Sequence, residues 1–101
     1  MTKKRMINVS VQVLPLIDDA YPIVDKAIET IQASGLKYEV GPMETTMESD
    51  NLDKLLDVAK AAHLACFKAG AGKVVTIINI ADSLEGTSIE AKVGKYRRAV
   101  L

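Results

Sequence analysis

Ile7-Asn8-Val9-Ser10-Val11-Gln12-Val13-Leu14 alternates with period two, and this stretch restricts the fold more than any other. Val9, Val11 and Val13 fall on one face, and Asn8, Ser10 and Gln12 on the other. That pattern is a strand with one apolar side, which needs a layer to cover it. Pro15 ends the strand because proline cannot donate to the ladder. The N-terminus is basic, but the polar residues interrupting Met6 to Ile17 make this stretch a strand and not a signal peptide.

Further elements follow in order. Val24, Ala27, Ile28 and Ile31 recur at helical spacing, with Pro22 in the first turn and Gly35 as the terminating cap. The spacing predicts a helix from about Tyr21 to Ser34. Leu36 to Val40 reads as a second strand and Met43 to Glu48 as a third. Thr45 and Thr46 favour the extended state through their branched Cβ atoms. The short Gly41-Pro42 connection makes these two strands antiparallel neighbours.

Ser49-Asp50 is the expected cap of a second helix. Its stripe is Leu52, Leu55, Leu56, Ala59, Ala62, His63, Cys66 and Phe67, stopped by Gly70 and Gly72. Val74 to Ile80 is a near-continuous apolar run of strand length. Thr87 and Glu90 have capping-box spacing. They start a short third helix carrying Ile89, Val93 and Tyr96, extended by Val100 and interrupted by Gly94.

The order β-α-β-β-α-β-α with right-handed crossovers gives an α+β, ferredoxin-like split βαβ domain over residues 1–101. Its four-stranded antiparallel sheet is covered by helices on one face. The 101 residues suffice for one core without staples, and 49% apolar content can fill it. Ile and Val on the last strand point both ways, so a second surface must cover the other face. A homo-oligomer, dimer or tetramer, is the simplest cover.

Lys plus Arg and Asp plus Glu both number 13, for zero net charge. That balance excludes a general nucleic-acid binder, which needs a basic surface. Lys3-Lys4-Arg5 and Arg97-Arg98 are too short to change this and read as solvated termini. No apolar run has transmembrane length, so no membrane partner is expected. The single cysteine, Cys66, allows no intrachain disulfide, and a cytoplasmic location follows by default.

Catalytic and metal patterns are incomplete. His63 and Cys66 lack further soft ligands, and both read as packing on the second helix. As a nucleophilic pair they would meet at i, i+3, but Leu, Ala and Phe neighbours keep a thiol inert. Gly70-Ala71-Gly72-Lys73 follows a helix and precedes a strand, the reverse of a phosphate-binding loop. Glu39, Glu44, Glu48 and Asp50 read as exposed hairpin carboxylates more readily than as an acid–base pair. No cofactor and no metal are expected.

Polar residues within apolar strands are the remaining candidates: Ser10, Gln12, Thr45, Thr46, Glu48 and Asn79, joined by His63 if the second helix lies above them. They either satisfy one another on a wet sheet face or converge on a small-molecule pocket.

Three segments carry a family likeness: Val9 to Pro15, Gly35 to Glu48, and Ala69 to Thr76. Pro42, Met43, Thr45 and Glu48, in the pattern Pro-Met-x-Thr-x-x-Glu, and the Ala62-His63 pair are its most specific parts. Through them nearly the whole chain resembles the small thiamine-binding family related to the YkoF-type thiamine/hydroxymethylpyrimidine-binding proteins. Ser49 departs from it, where glycine is the common residue. The resemblance implies a ferredoxin-like fold, sheets assembled into dimers and tetramers, and binding of thiamine or its pyrimidine half without catalysis. An aminopyrimidine edge would suit Ser, Thr, Gln and Asn side chains. Met43 would pack on the ring, and Glu44 or Glu48 would balance a thiazolium charge. An oligomeric regulatory or structural protein binding another ligand, or none, is the alternative.

Overall fold

Period-two and helical segments alternate along the chain as the sequence predicts. The computed structural model describes residues 4–98. Lys3 and Val100 lie outside the described residues, as do the side chains of Arg97 and Arg98. The elements are β1 (Ile7–Pro15), α1 (Tyr21–Ala33), β2 (Lys37–Val40), β3 (Thr45–Ser49), α2 (Leu52–Lys68), β4 (Val74–Ala81) and α3 (Ile89–Arg98). One four-stranded sheet has the order β2-β3-β1-β4, and every pairing is antiparallel. This is the ferredoxin-like split βαβ arrangement.

Register assigns the faces. Val9 stands opposite Met47 and Ile80, while Ser10 stands opposite Thr46 and Asn79. Directly opposed residues share a face, and successive residues alternate. Ile7, Val9, Val11 and Met47 are therefore on the helix side. There they form one buried cluster with Ile23, Ala27 and Ile31 of α1 and Leu55, Ala59, Ala62 and Cys66 of α2. Each large aliphatic side chain contributes about 1.5–3 kcal/mol when fully buried. Leu55 is fully enclosed, so Leu55→Ala would cost about 2–5 kcal/mol.

Pro22 does occupy the first turn of α1. Gly35 follows the helix with φ +79°, a conformation that disfavours any side chain. The second helix departs from expectation at its start. Its cap is Asn51, whose Oδ1 accepts from Lys54 N at 3.0 Å, and not Ser49 or Asp50. Ser49 still pairs with Ile7 in the sheet, so the chain has not yet left the strand there. Phe67, expected on the buried stripe, is largely exposed, whereas Val58 is buried.

The third helix differs more. Ser88, not Thr87, caps it through a bond from Ala91 N at 3.0 Å. The helix runs through Gly94 without interruption, and Tyr96 is exposed instead of packed. Ile89 is buried, and α3 rests on the helix-free face of the sheet at the Asn8–Glu48 row. That face is thus partly covered from within the chain.

β4 forms one edge of the sheet. Val75 and Ile77 on its open side, and Ile78 and Ile80 on its helix side, are all exposed. Among the described residues, no helix is long and apolar enough to cross a membrane.

A cleft and a buried carboxylate on opposite faces of one sheet

The polar residues singled out by the sequence do not converge on one site. Register places Ser10, Gln12, Thr46, Glu48 and Asn79 on the helix-free face. Thr45, opposite Val11, lies on the helix side. His63 is also on the helix side, where Nδ1 lies 2.6 Å from Thr76 Oγ1 and the ring meets Phe67 edge-on. Because α2 covers the face bearing Val9 and Val11, His63 cannot join the Ser10 row. Met43 is in the β2–β3 turn and exposed.

On the helix-free face Asn79 pairs with Ser10, and Asn8 with Glu48. Asn79 Nδ2 donates to Ser10 Oγ at 3.3 Å. Glu48 is buried, contrary to its expectation as an exposed hairpin carboxylate. Its Oε1 accepts from Asn8 Nδ2 at 3.0 Å and from Ile89 N at 2.7 Å. Its Oε2 lies 3.5 Å from Lys37 Nζ, and Lys92 Nζ donates to Asn8 Oδ1 at 2.7 Å. Burial pushes the Glu48 carboxyl up, but the Asn8 amide, the Ile89 N–H and the Lys37 ammonium outweigh it. The carboxyl therefore sits below its usual range. Among the described residues, no side-chain nitrogen or oxygen completely shut off from solvent lacks a partner. Glu48 is thus a structural anchor that fastens α3 to the sheet, and it is turned away from any ligand on the helix side.

The helix side carries a cleft of about 90 Å³ between α1 and the β2–β3 hairpin. Its floor is buried: Val11, Ala27, Ile31, Ala62 and Thr45. Its rim is exposed: Val40, Pro42, Met43 and Glu44. Gly41 N donates to Glu44 O at 2.8 Å and closes the turn that supports this rim. Built on Gly41, a Cβ would stand 2.9 Å from that oxygen, so the turn admits little but glycine. Gln12 borders the cleft, although the β1 alternation sets its side chain with Ser10. The Thr45 hydroxyl has no side-chain hydrogen bond among the described residues, so it can both donate to and accept from a ligand. Apolar walls with few polar groups are the usual lining of a small-molecule site, although such sites commonly span about 300–1,000 Å³ and this cleft holds about 90 Å³.

Of the candidate site residues read from the sequence, Gln12, Met43 and Thr45 line this cleft, while Val11, Ala27 and Ile31 of its wall were not singled out. Those residues read equally well as core, and only the gap between hairpin and helix distinguishes them. Cys66 is buried among them, and burial pushes its thiol up, as expected of an inert packing residue. Among the described residues, no group of three or more His, Cys, Asp and Glu side chains could hold a metal.

This architecture recurs in known proteins. A UPF0045 protein of Clostridium perfringens is 48% identical over 92 residues, covering 89% of this chain and 96% of the relative. A domain of unknown function from Bacillus cereus superposes with TM-score 0.84 at 47% identity, covering 96% of this chain and 95% of that one. A candidate thiamine biosynthesis/salvage protein from Thermotoga maritima superposes with TM-score 0.81 at 35% identity, covering 91% of this chain and 99% of that one. The family described as thiamine-binding protein matches residues 9–97, which include the cleft, its hairpin and the Glu48 anchor, and the chain belongs to that family.

Proposed function

We propose that this chain is a non-catalytic binding protein for thiamine or its hydroxymethylpyrimidine half, serving salvage or transport. The ring would sit in the cleft between α1 and the β2–β3 hairpin. The observation that carries this reading is the Thr45 hydroxyl, which has no side-chain partner among the described residues, on a floor of aliphatic side chains. An aminopyrimidine offers an amine donor and ring-nitrogen acceptors, and one hydroxyl can meet either. Met43, on the rim, would cover the ring face with its thioether. Family membership and the likeness to the Thermotoga maritima protein support the same ligand class. Ser10, Thr46, Glu48 and Asn79 have no part in this site, and the function requires no cofactor.

The reading includes a homo-oligomer, dimer or tetramer, in the reducing cytoplasm where Cys66 stays a free thiol. The eight-residue β4 strand is an unpaired edge with exposed Val75, Ile77, Ile78 and Ile80. A second copy would pair with that edge and cover both apolar faces. Light scattering should give a multiple of the 10.9 kDa chain mass; a monomer at micromolar concentration would remove this part.

Isothermal titration calorimetry with thiamine and, separately, hydroxymethylpyrimidine tests the ligand. Saturable binding that weakens about tenfold in Thr45→Val is expected, the loss of one hydrogen bond. Flat titrations with both compounds on folded protein would overturn it.

A further inference from the structure

We propose that the cleft selects the unphosphorylated ring ligand and rejects its phosphate esters. This inference rests on the reading that the cleft is the ligand site. Its first support is size. The cleft holds about 90 Å³, whereas an apolar cavity that takes up benzene measures about 150 Å³. At most one ring lodges between Val11 and Ile31, so the far end of a two-ring ligand must stand at the rim. The rim is where charge decides.

Glu44 is the only ionisable side chain among the described lining residues, and it is exposed on that rim. Phosphate sites use Arg or Lys forks, or unpaired backbone N–H groups at a helix N-terminus. Neither is present along this lining. α1 presents Val24, Ala27, Ile28 and Ile31 to the cleft, which are side chains from the body of the helix. The Gly41 N–H already donates to Glu44 O. Lys37 Nζ, on neighbouring β2, lies instead beside Glu48, which register places on the other face.

A cationic ring at the rim is therefore attracted by Glu44, and a phosphate there is repelled with no compensating cation among the described lining residues. Glu48, the other carboxylate that could have balanced such a cation, is enclosed by Asn8 and Ile89 on the far side of the sheet. Among the described lining residues, charge selectivity then falls to Glu44.

Titration calorimetry on the full chain separates the outcomes, with thiamine, thiamine monophosphate, thiamine pyrophosphate and hydroxymethylpyrimidine at one ionic strength. Thiamine should bind at least about fivefold tighter than its monophosphate, and the pyrophosphate should be weaker still. Glu44→Gln should narrow this gap and Glu44→Lys should reverse it. Binding of the neutral pyrimidine should change less than about twofold in Glu44→Gln. Thermal melts of both variants should match the parent, since Glu44 is exposed. Phosphate esters binding as tightly as thiamine, with thiamine binding intact, would overturn the selectivity and leave the ligand site standing. If neither thiamine nor the pyrimidine binds the folded protein, the ligand reading and the selectivity fall together.

Discussion

Thr45 and Glu48 sit three residues apart on β3 and have opposite fates. Thr45 faces the helices, borders the cleft and has no side-chain partner among the described residues. Glu48 faces away, is just as buried, and is held by Asn8, Ile89 and Lys37. Both are buried polar residues in a short strand, so neither burial nor polarity separates function from structure here. Partnership does. A buried group whose bonds are complete is fastening the fold, and a group with bonding capacity left beside a cavity is available to a ligand.

The largest expected effect breaks the structural side of this contrast. Glu48→Ala leaves the Asn8 amide and the Ile89 N–H without their acceptor, which should destabilise the protein by about 2–3 kcal/mol. A chain of this size should lose about 4–8 °C of melting temperature per kcal/mol. Hydrogen exchange should localise the loss to α3, while affinity for a cleft ligand stays within about twofold. An equally large loss of affinity would mean that the two sites are not independent.

Thr45→Val tests the other side. Removing a hydroxyl that makes no side-chain hydrogen bond among the described residues forfeits no such bond and should change stability by less than about 1 kcal/mol. Ligand affinity should fall by about tenfold. A variant that melts much lower would show that Thr45 is a structural residue like Glu48.

The smallest effect is in pH. The folded-state Glu48 carboxyl is held below its unfolded value, so its contribution is present above the unfolded value near 4.3. It is lost as pH falls through the lower folded value. Glu48→Gln should therefore flatten the acid limb of stability in that window. Urea titrations at several pH values would show it, and an unchanged acid limb would assign the limb to other carboxylates, such as Asp82. The paired Arg5 guanidinium holds Asp82 down in the same direction.

Much of the fold was legible because its signals are local. The Val9-Val11-Val13 alternation, Pro22 in the first turn of α1 and Gly35 after its end each act through neighbouring residues. Helix caps were less legible, since Ser49, Asp50 and Asn51 are all competent. Pairing of Ser49 with Ile7 decides among them by keeping the chain extended one residue longer than expected. Of the residues singled out together in the sequence, the structure puts Met43 and Thr45 at the cleft and His63 on the opposite face from the Ser10 row. A helical stripe shows that α2 packs on the sheet but not which polar strand residues lie beneath it.

By itself the sequence determined the elements, their order and the fact that Thr45 and Thr46, or Asn8 and Val9, must face opposite ways. Strand alternation follows from backbone geometry and needs no distant partner. Only the tertiary structure decided which of those faces the helices would cover. It also brought Ile89 and Lys92 back across the sheet to Glu48 and Asn8. These contacts join residues far apart in the chain, and their energies depend on burial and closure that no local pattern encodes.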